Sequence, residues 1–372
     1  MSPKPPADAV IDERFMREAL ALAKKGLGKT SPNPTVGAVI VKNGRVIARG
    51  FHKKAGRPHA EIAAFKDAKE SVKGATLYVT LEPCCHYGKT PPCTGAVVRS
   101  GIKRVVAGML DPNRLVAGKG AGILRRAGID VTSGVLELEC AELNEWYIKY
   151  ITKKMPYVTL KLAMSIDGRI ATAAGESKWI TGVEARRHVH KMRSESDAVM
   201  VGLNTVLKDD PALTVRLVKG KNPARVVVDS SLRTPLDAKI FDNAGKVRLI
   251  IFTTNAAPAD KIKKARAKGA EVVTVPKSAG MGGGVDLKKV LRELGSRAIA
   301  SLLVEGGGSL GASFIKACLV DRISFFIAPI VLGGGAALGI GPLGIKKMSK
   351  ALVIKDMTMK RIGKDILIEG HF

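Results

Sequence analysis

A cluster of thiols is the feature that most constrains this chain, since three of its five cysteines, Cys84, Cys85 and Cys93, lie within ten residues of one another. No signal-like apolar run follows the first residues, so we expect neither export nor a disulfide framework. An odd, clustered set of cysteines in such a chain is more typical of metal binding or catalysis. The fold must therefore bring these thiols to one place.

The chain has 372 residues, which is long for a single core at roughly 100–200 residues per domain. Hydrophobic residues make up 46% of it and charged residues 25%, a composition that can bury a core. The longest apolar runs fall short of the roughly 18 residues that a membrane helix requires. We therefore expect a soluble, cytoplasmic protein of about two domains.

Helix and strand signals alternate through the first half of the chain. Asn43-Gly44, between two strand-like runs, is a strong signal for a two-residue hairpin. We predict helices over residues 12–27, 60–68, 94–100, 116–127 and 136–152, and strands over 35–41, 45–51, 76–80, 104–108 and 129–131. This order predicts a three-layer α/β domain with a mostly parallel inner sheet.

Met155-Pro156 interrupts the chain, and a new strand-like run starts directly afterwards. We place the boundary at residues 152–156, which gives domains of residues 1–153 and 154–372. The second half alternates again, with helices predicted over 183–194, 259–268, 286–294 and 309–317, strands over 157–163, 198–201, 225–228, 247–252, 271–275 and 300–304, a loop over 277–284, and further strands from 322 onward. It is therefore a second α/β domain.

His59-Ala-Glu61 opens a predicted helix, Cys84 follows a predicted strand, and Cys93 comes just before the next helix. One imidazole and two thiolates can hold Zn²⁺ at three corners of a tetrahedron and leave the fourth for water, whose pKa then falls to roughly 7. Glu61 can accept a proton from that water and pass it to a leaving amine without binding the metal. The pattern predicts hydrolytic deamination of a ring amidine.

Spacing alone leaves the ligand set open. Nucleobase deaminases usually carry Pro-Cys-x-x-Cys, whereas here eight residues separate Cys84 from Cys93 and include Cys85 and His86. Cys85 is thus an alternative ligand. A closed structural zinc site with four protein ligands is an alternative to a catalytic one.

Three segments closely resemble the deaminase half of the bifunctional riboflavin-biosynthesis deaminase/reductase family: Ser31-Pro-Asn-Pro-Thr-Val-Gly37, His59-Ala-Glu61 and Thr80-Leu-Glu-Pro-Cys-Cys-His-Tyr-Gly-Lys-Thr-Pro-Pro-Cys93. The resemblance implies a cytidine-deaminase-like αβα fold, with His59, Cys84 and Cys93 as zinc ligands and Glu61 as the proton shuttle. It also implies contacts to the pyrimidine or its ribose phosphate from Asn33, His52, His86 and Lys89. Cys85 stands where that motif usually has Ser.

A glycine-rich turn, Glu305-Gly-Gly-Gly-Ser309, lies between a predicted buried strand and a helix. Glycines at such a turn let the backbone approach a phosphate, or simply allow a tight strand-to-helix connection. Together with residues 157–169, 175–181 and 209–216, this turn resembles the reductase half of the same family. That resemblance implies a dihydrofolate-reductase-like α/β fold and hydride transfer from NADPH.

The same resemblance implies two sets of contacts in the second half. The NADPH contacts are Ala163, Trp179, Thr205, Asp209, Ser230, Gly307, Gly308, Ser309 and Leu310. The substrate contacts are Ser177, Arg193, Leu213, Arg216 and Glu305, with Lys161 and Asp167 assisting proton delivery or positioning. Arg193 and Arg216 suit phosphate because a guanidinium group binds it in a bidentate way.

The chain is strongly basic, with 61 Lys and Arg against 33 Asp and Glu and a net charge of +28, which favours anionic partners. The basic residues are scattered, and only 9 Phe, 5 Tyr and 2 Trp are available for base stacking. We therefore expect a small phosphorylated ligand, which the family resemblance implies is a pyrimidine, and no nucleic-acid or membrane partner. We also expect a homo-oligomer.

The resulting hypothesis is a two-step enzyme acting on 2,5-diamino-6-ribosylamino-4(3H)-pyrimidinone 5′-phosphate. The first half would deaminate the pyrimidine with zinc, and the second would reduce the ribosyl chain to ribityl with NADPH. The alternatives are a deaminase that edits a flipped RNA base, a structural protein with a closed zinc site, and a member of the family with only one working half.

Overall fold

The computed structural model describes residues 7–88, 91–278 and 284–372. Lys89 and most of the loop predicted over 277–284 lie outside these ranges. The chain divides between Lys154 and Met155 into two compact units. Within the described ranges, no helix is both long and apolar enough to cross a membrane.

The first unit is built on a five-stranded sheet with the order β2-β1-β3-β4-β5. Its strands are β1 (Gly37–Lys42), β2 (Arg45–Phe51), β3 (Thr76–Leu81), β4 (Arg104–Met109) and β5 (Asp130–Ser133). β1 runs antiparallel to β2 and β3, whereas β3, β4 and β5 run parallel. The sheet is thus evenly mixed where the sequence predicts a mostly parallel one, because the second strand of the hairpin occupies the edge and the first lies inside.

Helices cover both faces of this sheet. They are α1 (Ala7–Ala23), α2 (Ala60–Asp67), α3 (Cys93–Ser100), α4 (Lys119–Arg126), α5 (Glu137–Leu143) and α6 (Glu145–Lys153). A Cβ on Gly37 would lie 2.0 Å from the Ala19 carbonyl oxygen of α1, and a Cβ on Gly50 would lie 2.3 Å from the Ala60 carbonyl oxygen of α2. Gly50 pairs with Ala38, the neighbour of Gly37, so the two glycines face opposite sides. The unit therefore has the predicted three layers.

The prediction of one helix over residues 136–152 is wrong, because the chain breaks at Asn144 into α5 and α6. Asn144 is fully buried and has a φ of −120°. Its Oδ1 accepts the Thr35 N–H at 2.7 Å, and its Nδ2 donates to the Thr35 carbonyl at 3.0 Å. This long-range pairing accompanies the non-helical backbone that separates the two helices.

The second unit contains a nine-stranded sheet with the order β11-β10-β9-β8-β12-β6-β13-β16-β15. The strands of this unit are β6 (Tyr157–Ser165), β7 (Arg169–Ala171), β8 (Ala198–Gly202), β9 (Ala224–Val228), β10 (Leu249–Thr253), β11 (Ala270–Thr274), β12 (Ser301–Val304), β13 (Arg322–Ala328), β14 (Ala337–Leu338), β15 (Lys355–Ile362) and β16 (Asp365–His371). Its helices are α7 (Val183–Glu195), α8 (Leu203–Asp209), α9 (Ala259–Ala267), α10 (Leu287–Ser296) and α11 (Gly308–Lys316). Short β7 and β14 pair separately.

Alternate residues of the central strands enter two different cores. Met200, Val226 and Ile250 pack in one apolar cluster, whereas their neighbours Val201 and Val227 pack in the other. Strands β6, β8, β9 and β12 are adjacent and parallel, so their carboxyl ends share one edge. This edge is where ligands bind in open α/β sheets.

Candidate functional site

Two of the three clustered cysteines, Cys84 and Cys93, form a three-residue group with His59. His59 is the N-cap of α2, Cys93 is the first residue of α3, and Cys84 follows β3. His59 Nδ1 lies 3.5 Å from Cys84 Sγ and 3.3 Å from Cys93 Sγ. A tetrahedral zinc ion separates a nitrogen ligand from a sulfur ligand by about 3.5 Å. The donor types and their spacing therefore fit zinc.

The Cys84 sulfur is suited to the thiolate form that binds metal. Hydrogen bonding from Cys93 and His59 lowers the pKa of Cys84. The Cys93 backbone N–H, at the start of α3, also points to this sulfur at 3.4 Å. The helix start thus stabilises negative charge where the metal would bind.

The two alternatives that spacing left open are disfavoured by this geometry. The Cys85 thiol faces the Leu115 carbonyl oxygen at 3.8 Å. Within residues 7–88, 91–278 and 284–372, the group that could hold a metal ion consists of His59, Cys84 and Cys93, and no fourth His, Cys, Asp or Glu ligand joins it. Three ligands leave one position open, as in catalytic zinc sites.

Glu61 lies in the first turn of α2 and is only 3% exposed. Burial, followed by the charge of Cys84, raises the pKa of its carboxyl group to about 7. Glu61 lines the same cavity as His59 and Cys84. A carboxyl group with this pKa exchanges protons readily near neutral pH.

The cavity over this group has a volume of about 300 Å³, and Asn33, His52 and His86 all line it. His52 Nδ1 donates to the Pro58 carbonyl at 3.0 Å, so its Nε2 accepts from Asn33 Nδ2 at 3.2 Å. Burial lowers the pKa of His52, which favours this neutral form. His86 Nδ1 is buried without a hydrogen-bond partner, so it is available for a ligand.

Sequence reasoning missed Tyr147, a residue of α6 that lines the cavity. Its hydroxyl donates to Asp111 Oδ1 at 2.9 Å. The Asp111 segment is held in turn by the buried Glu82 carboxylate, which accepts the N–H groups of Asp111, Gly118 and Ala121. The sequence Asp111-Pro-Asn after a strand could have indicated this side of the cavity. Nothing in the sequence indicated Tyr147.

In the second unit, several predicted cofactor contacts lie near the shared carboxyl edge. Thr205 lies in α8 after β8, Ser230 follows β9, and Ala163 is near the end of β6. Gly307 is the N-cap of α11 after β12. Topology therefore gathers residues from four chain segments at one edge.

Gly307 and Gly308, at the start of α11, differ in the space that surrounds them. A Cβ on Gly308 would lie 2.4 Å from the Leu338 carbonyl oxygen, so protein backbone fills that space. A Cβ on Gly307 would meet no atom closer than 3.9 Å. The open side at Gly307 and its position at the N-terminus of α11 fit a phosphate of NADPH.

Trp179 is 65% exposed, and the Arg186 guanidinium carbon lies 4.3 Å from its ring centroid. The Ser177 hydroxyl donates to Asp209 Oδ1 at 2.9 Å, which joins a predicted substrate contact to a predicted cofactor contact. Arg186 covers one face of the indole, and the exposed part of the ring remains as a flat surface for a ligand ring.

Arg193 and Glu305 form a bidentate ion pair with distances of 2.6 and 2.9 Å. Burial alone would raise the pKa of Glu305, but the Arg193 charge and hydrogen bonds outweigh it and lower the pKa. Burial lowers the pKa of nearby Lys161. The Arg193 charge is thus engaged by Glu305, whereas the sequence suggested a phosphate partner.

Three other predicted substrate residues have distinct surroundings. The Leu213 side chain is 2% exposed and belongs to an apolar core, with a backbone φ of 53°. Arg216 is exposed. Asp167 accepts from Ser165 Oγ and from the N–H groups of Leu332 and Gly333, and these bonds lower its pKa to about 2. The lowered pKa favours the ionised form of Asp167, and its carboxylate holds the Leu332–Gly333 loop.

Comparison with known proteins identifies both units. The cytidine and deoxycytidylate deaminase zinc-binding region matches residues 10–109, and the RibD C-terminal domain matches residues 156–368. The riboflavin biosynthesis protein RibD of Aquifex aeolicus is 48% identical over 359 residues, covering 96% of this chain and 98% of the relative. The Escherichia coli RibD is 40% identical, covering 96% and 98%.

The chain belongs to the RibD family. Solved structures agree: Acinetobacter baumannii RibD superposes with a TM-score of 0.88 at 39% identity, covering 98% of this chain and 99% of that one. A diaminohydroxyphosphoribosylaminopyrimidine deaminase/5-amino-6-(5-phosphoribosylamino)uracil reductase from Thermotoga maritima gives 0.84 at 40% identity, with the same coverage.

Membership of the RibD family confirms the predicted fold class and the predicted pair of activities. The chain is a bifunctional deaminase and reductase of riboflavin biosynthesis. Zinc is the cofactor of its deaminase and NADPH that of its reductase.

Proposed function

We propose that residues 1–153 deaminate 2,5-diamino-6-ribosylamino-4(3H)-pyrimidinone 5′-phosphate and that residues 154–372 reduce the ribosyl group of the product to ribityl. The observation that carries this proposal is the position of buried Glu61 in one cavity with His59, Cys84 and the neutral His52–Asn33 pair. A titratable carboxyl group beside three metal-binding atoms is what replacement of an amine by oxygen requires.

His59, Cys84 and Cys93 would hold zinc, which supplies an activated water for attack on the amine-bearing ring carbon. Glu61 takes a proton from the water and delivers it to the departing amine, so that ammonia leaves and a carbonyl remains. Asn33 turns its Nδ2 toward His52, which leaves its amide oxygen for a ring N–H. His86 Nδ1 is the second polar contact, and we retain Lys89 as a phosphate contact on the family resemblance.

In the reductase, NADPH supplies the hydride that reduces the ribosyl carbon. Gly307, Gly308, Ser309 and Leu310 at the start of α11 would bind its phosphates. Ala163, Trp179, Thr205, Asp209 and Ser230 would form the rest of its site. Each of these residues belongs to a segment that lies at the shared carboxyl edge or follows it, or to one that is connected to it by the hydrogen bond between Ser177 and Asp209.

For the reductase substrate, we assign Arg216 to the 5′-phosphate because its side chain is exposed, whereas Glu305 engages Arg193. Lys161 is the group that would donate the proton, since burial makes its ammonium more acidic. Ser177 and Glu305 remain substrate contacts, Leu213 acts through its backbone, and Asp167 positions the Leu332–Gly333 loop.

A coupled assay tests this division of labour. Ammonia release from the diaminopyrimidine and NADPH oxidation with the deaminated product are measured separately for wild type, Glu61→Gln and the exposed control Glu70→Gln. We expect Glu61→Gln to lose the first activity and retain the second, and Glu70→Gln to retain both. Loss of both activities in folded Glu61→Gln would refute the assignment.

The same assay separates the competing functions. Ammonia release from RNA in place of the free pyrimidine would favour base editing. A structural protein with a closed zinc site would show no ammonia release in wild type, and Glu61→Gln would change only its stability. An absent second activity in wild type would indicate a single working half.

We also propose a cytoplasmic homo-oligomer. All five cysteines are free, which suits a reducing compartment. Met357 and Met359 on the edge strand β15 and Ile366 on the neighbouring strand β16 are exposed apolar side chains, which favours burial against a second copy. Light scattering of wild type and Met359→Lys tests this: a monomeric wild type would contradict it.

A further inference from the structure

The segment that carries Arg216 is held by three side chains at three consecutive residues. Arg193 Nη1 donates to the Thr214 carbonyl at 3.2 Å. Asn222 Oδ1 accepts the Val215 N–H at 2.7 Å. His190 Nδ1 accepts the Arg216 N–H at 3.0 Å. Between α8 and β9, the backbone of residues 214–216 is therefore fixed more tightly than an ordinary surface loop.

His190 and Arg193 lie three residues apart on α7 and so share one face of that helix. His190 is 4% exposed. Burial, then the positive charges of Arg193 and Arg216, lower its pKa to about 4, with Lys161 acting in the same direction and Glu305 opposing it. The ring is neutral at pH 7, and its Nδ1 carries a lone pair because it accepts the Arg216 N–H.

We propose that His190 is a positioning residue of the reductase, which fixes the Arg216 backbone so that its guanidinium group meets the 5′-phosphate of the substrate. This inference rests on the proposed role of Arg216 as the phosphate contact. A preset loop lowers the entropy that must be lost when the phosphate binds. His190 itself does not touch the reacting atoms.

The chemistry of the substitutions separates positioning from packing. His190→Asn can place Oδ1 where Nδ1 lies and so keeps an acceptor for the Arg216 N–H. His190→Gln extends its amide past that position, and the matched control His188→Gln changes a histidine on the same helix that packs against Phe326.

Steady-state NADPH oxidation is measured with the deaminated, phosphorylated substrate and with its dephosphorylated form. For His190→Gln we expect the KM of the phosphorylated substrate to rise about tenfold, with kcat changed less than about threefold. The KM of the dephosphorylated substrate should not change. His190→Asn should stay within about threefold of wild type, and His188→Gln should match wild type.

Arg216→Ala and the double variant His190→Gln/Arg216→Ala identify which proposal fails. If His190 acts through Arg216, adding His190→Gln to Arg216→Ala should have no further effect on KM. An unchanged KM in Arg216→Ala would overturn the phosphate role of Arg216. A raised KM in Arg216→Ala together with an unchanged KM in His190→Gln would overturn only the role of His190.

A binding measurement on the full chain serves if a variant loses its fold by circular dichroism. Ribose 5-phosphate is titrated calorimetrically into wild type, His190→Asn and Arg216→Ala, and nitrogen NMR of the wild type reports the His190 tautomer. We expect the Nε2–H tautomer and similar affinities for wild type and His190→Asn. An Nδ1–H tautomer would overturn the proposal.

Discussion

Asn144 pairs with the backbone of Thr35 through both atoms of its side-chain amide, at 2.7 and 3.0 Å, although the two residues are 109 positions apart. Thr35 follows the Ser31–Pro34 segment that brings Asn33 to the cavity wall. The break between α5 and α6 therefore anchors one side of the deaminase cavity.

Asn144→Ala should lower the free energy of unfolding by about 2–3 kcal/mol, because it leaves buried backbone groups of Thr35 without partners. Urea denaturation measures the change. The exposed Asn204→Ala is the control and should stay within about 0.5 kcal/mol of wild type. An equally small effect for Asn144→Ala would mean that Thr35 finds other partners.

The two adjacent cysteines should respond differently to serine. Cys84→Ser should lower the zinc content and reduce deaminase kcat/KM at least a thousandfold, on the order expected for loss of a catalytic metal. Cys85→Ser should keep both, because the Cys85 thiol faces the Leu115 carbonyl. Atomic absorption and ammonia release measure the two effects. Zinc loss in Cys85→Ser would mean that Cys85, and not Cys84, is the zinc ligand.

Tyr147→Phe removes the hydroxyl that donates to Asp111. We expect deaminase kcat/KM to fall roughly fivefold, which corresponds to about 1 kcal/mol for one hydrogen bond. Reductase activity of the same preparation is the internal control and should not change. An unaltered ammonia release rate would show that the Asp111 carboxylate, which also accepts the Asn113 N–H, does not need the Tyr147 hydroxyl.

Gly307→Ala and Gly308→Ala should show which glycine faces the bound cofactor and which packs against the protein. A methyl group on Gly307 meets no protein atom within 3.9 Å, so Gly307→Ala should keep the melting temperature but weaken NADPH binding about tenfold or more. Gly308→Ala should lower the melting temperature because of Leu338. Fluorescence titration with NADPH and calorimetry distinguish them. Unchanged NADPH affinity in Gly307→Ala would place the phosphates elsewhere.

His190 should make stability depend on pH in a defined window. Its pKa is about 4 when folded, below the ordinary value of 6.5, so its contribution is complete above pH 6.5 and is lost as the pH falls toward 4. Between pH 7 and 5 we expect wild type to lose about 1 kcal/mol more than His190→Asn. Urea unfolding at both pH values measures this. Parallel losses in the two proteins would contradict it.

Local patterns predicted local structure well. Asn43-Gly44 specified the hairpin because both residues adopt positive φ, 50° and 73°. Asp286 was correctly placed at a helix start, where its side chain accepts the Lys289 N–H. The adjacency of Cys84, Cys93 and His59 followed from motif spacing and family resemblance together.

Pairings between distant residues were not predictable. The break at Asn144 depends on Thr35, and Glu305 engages Arg193 across 112 positions. Neither Asn144 nor Arg193 has a local signature, since a buried Asn or Arg resembles an exposed one in sequence. His190 was passed over for the same reason: its role depends on the Arg216 backbone, which carries no residue-type signal.

Gly50 lies directly against the backbone of α2, where a Cβ would come within 2.3 Å of both Ala60 O and Ala64 N. Because α2 has His59 at its N-cap and Glu61 in its first turn, the height of the helix above the sheet is also the height of the imidazole and the carboxylate. The distance from these two deaminase side chains to the pyrimidine is therefore set by a residue that has no side chain.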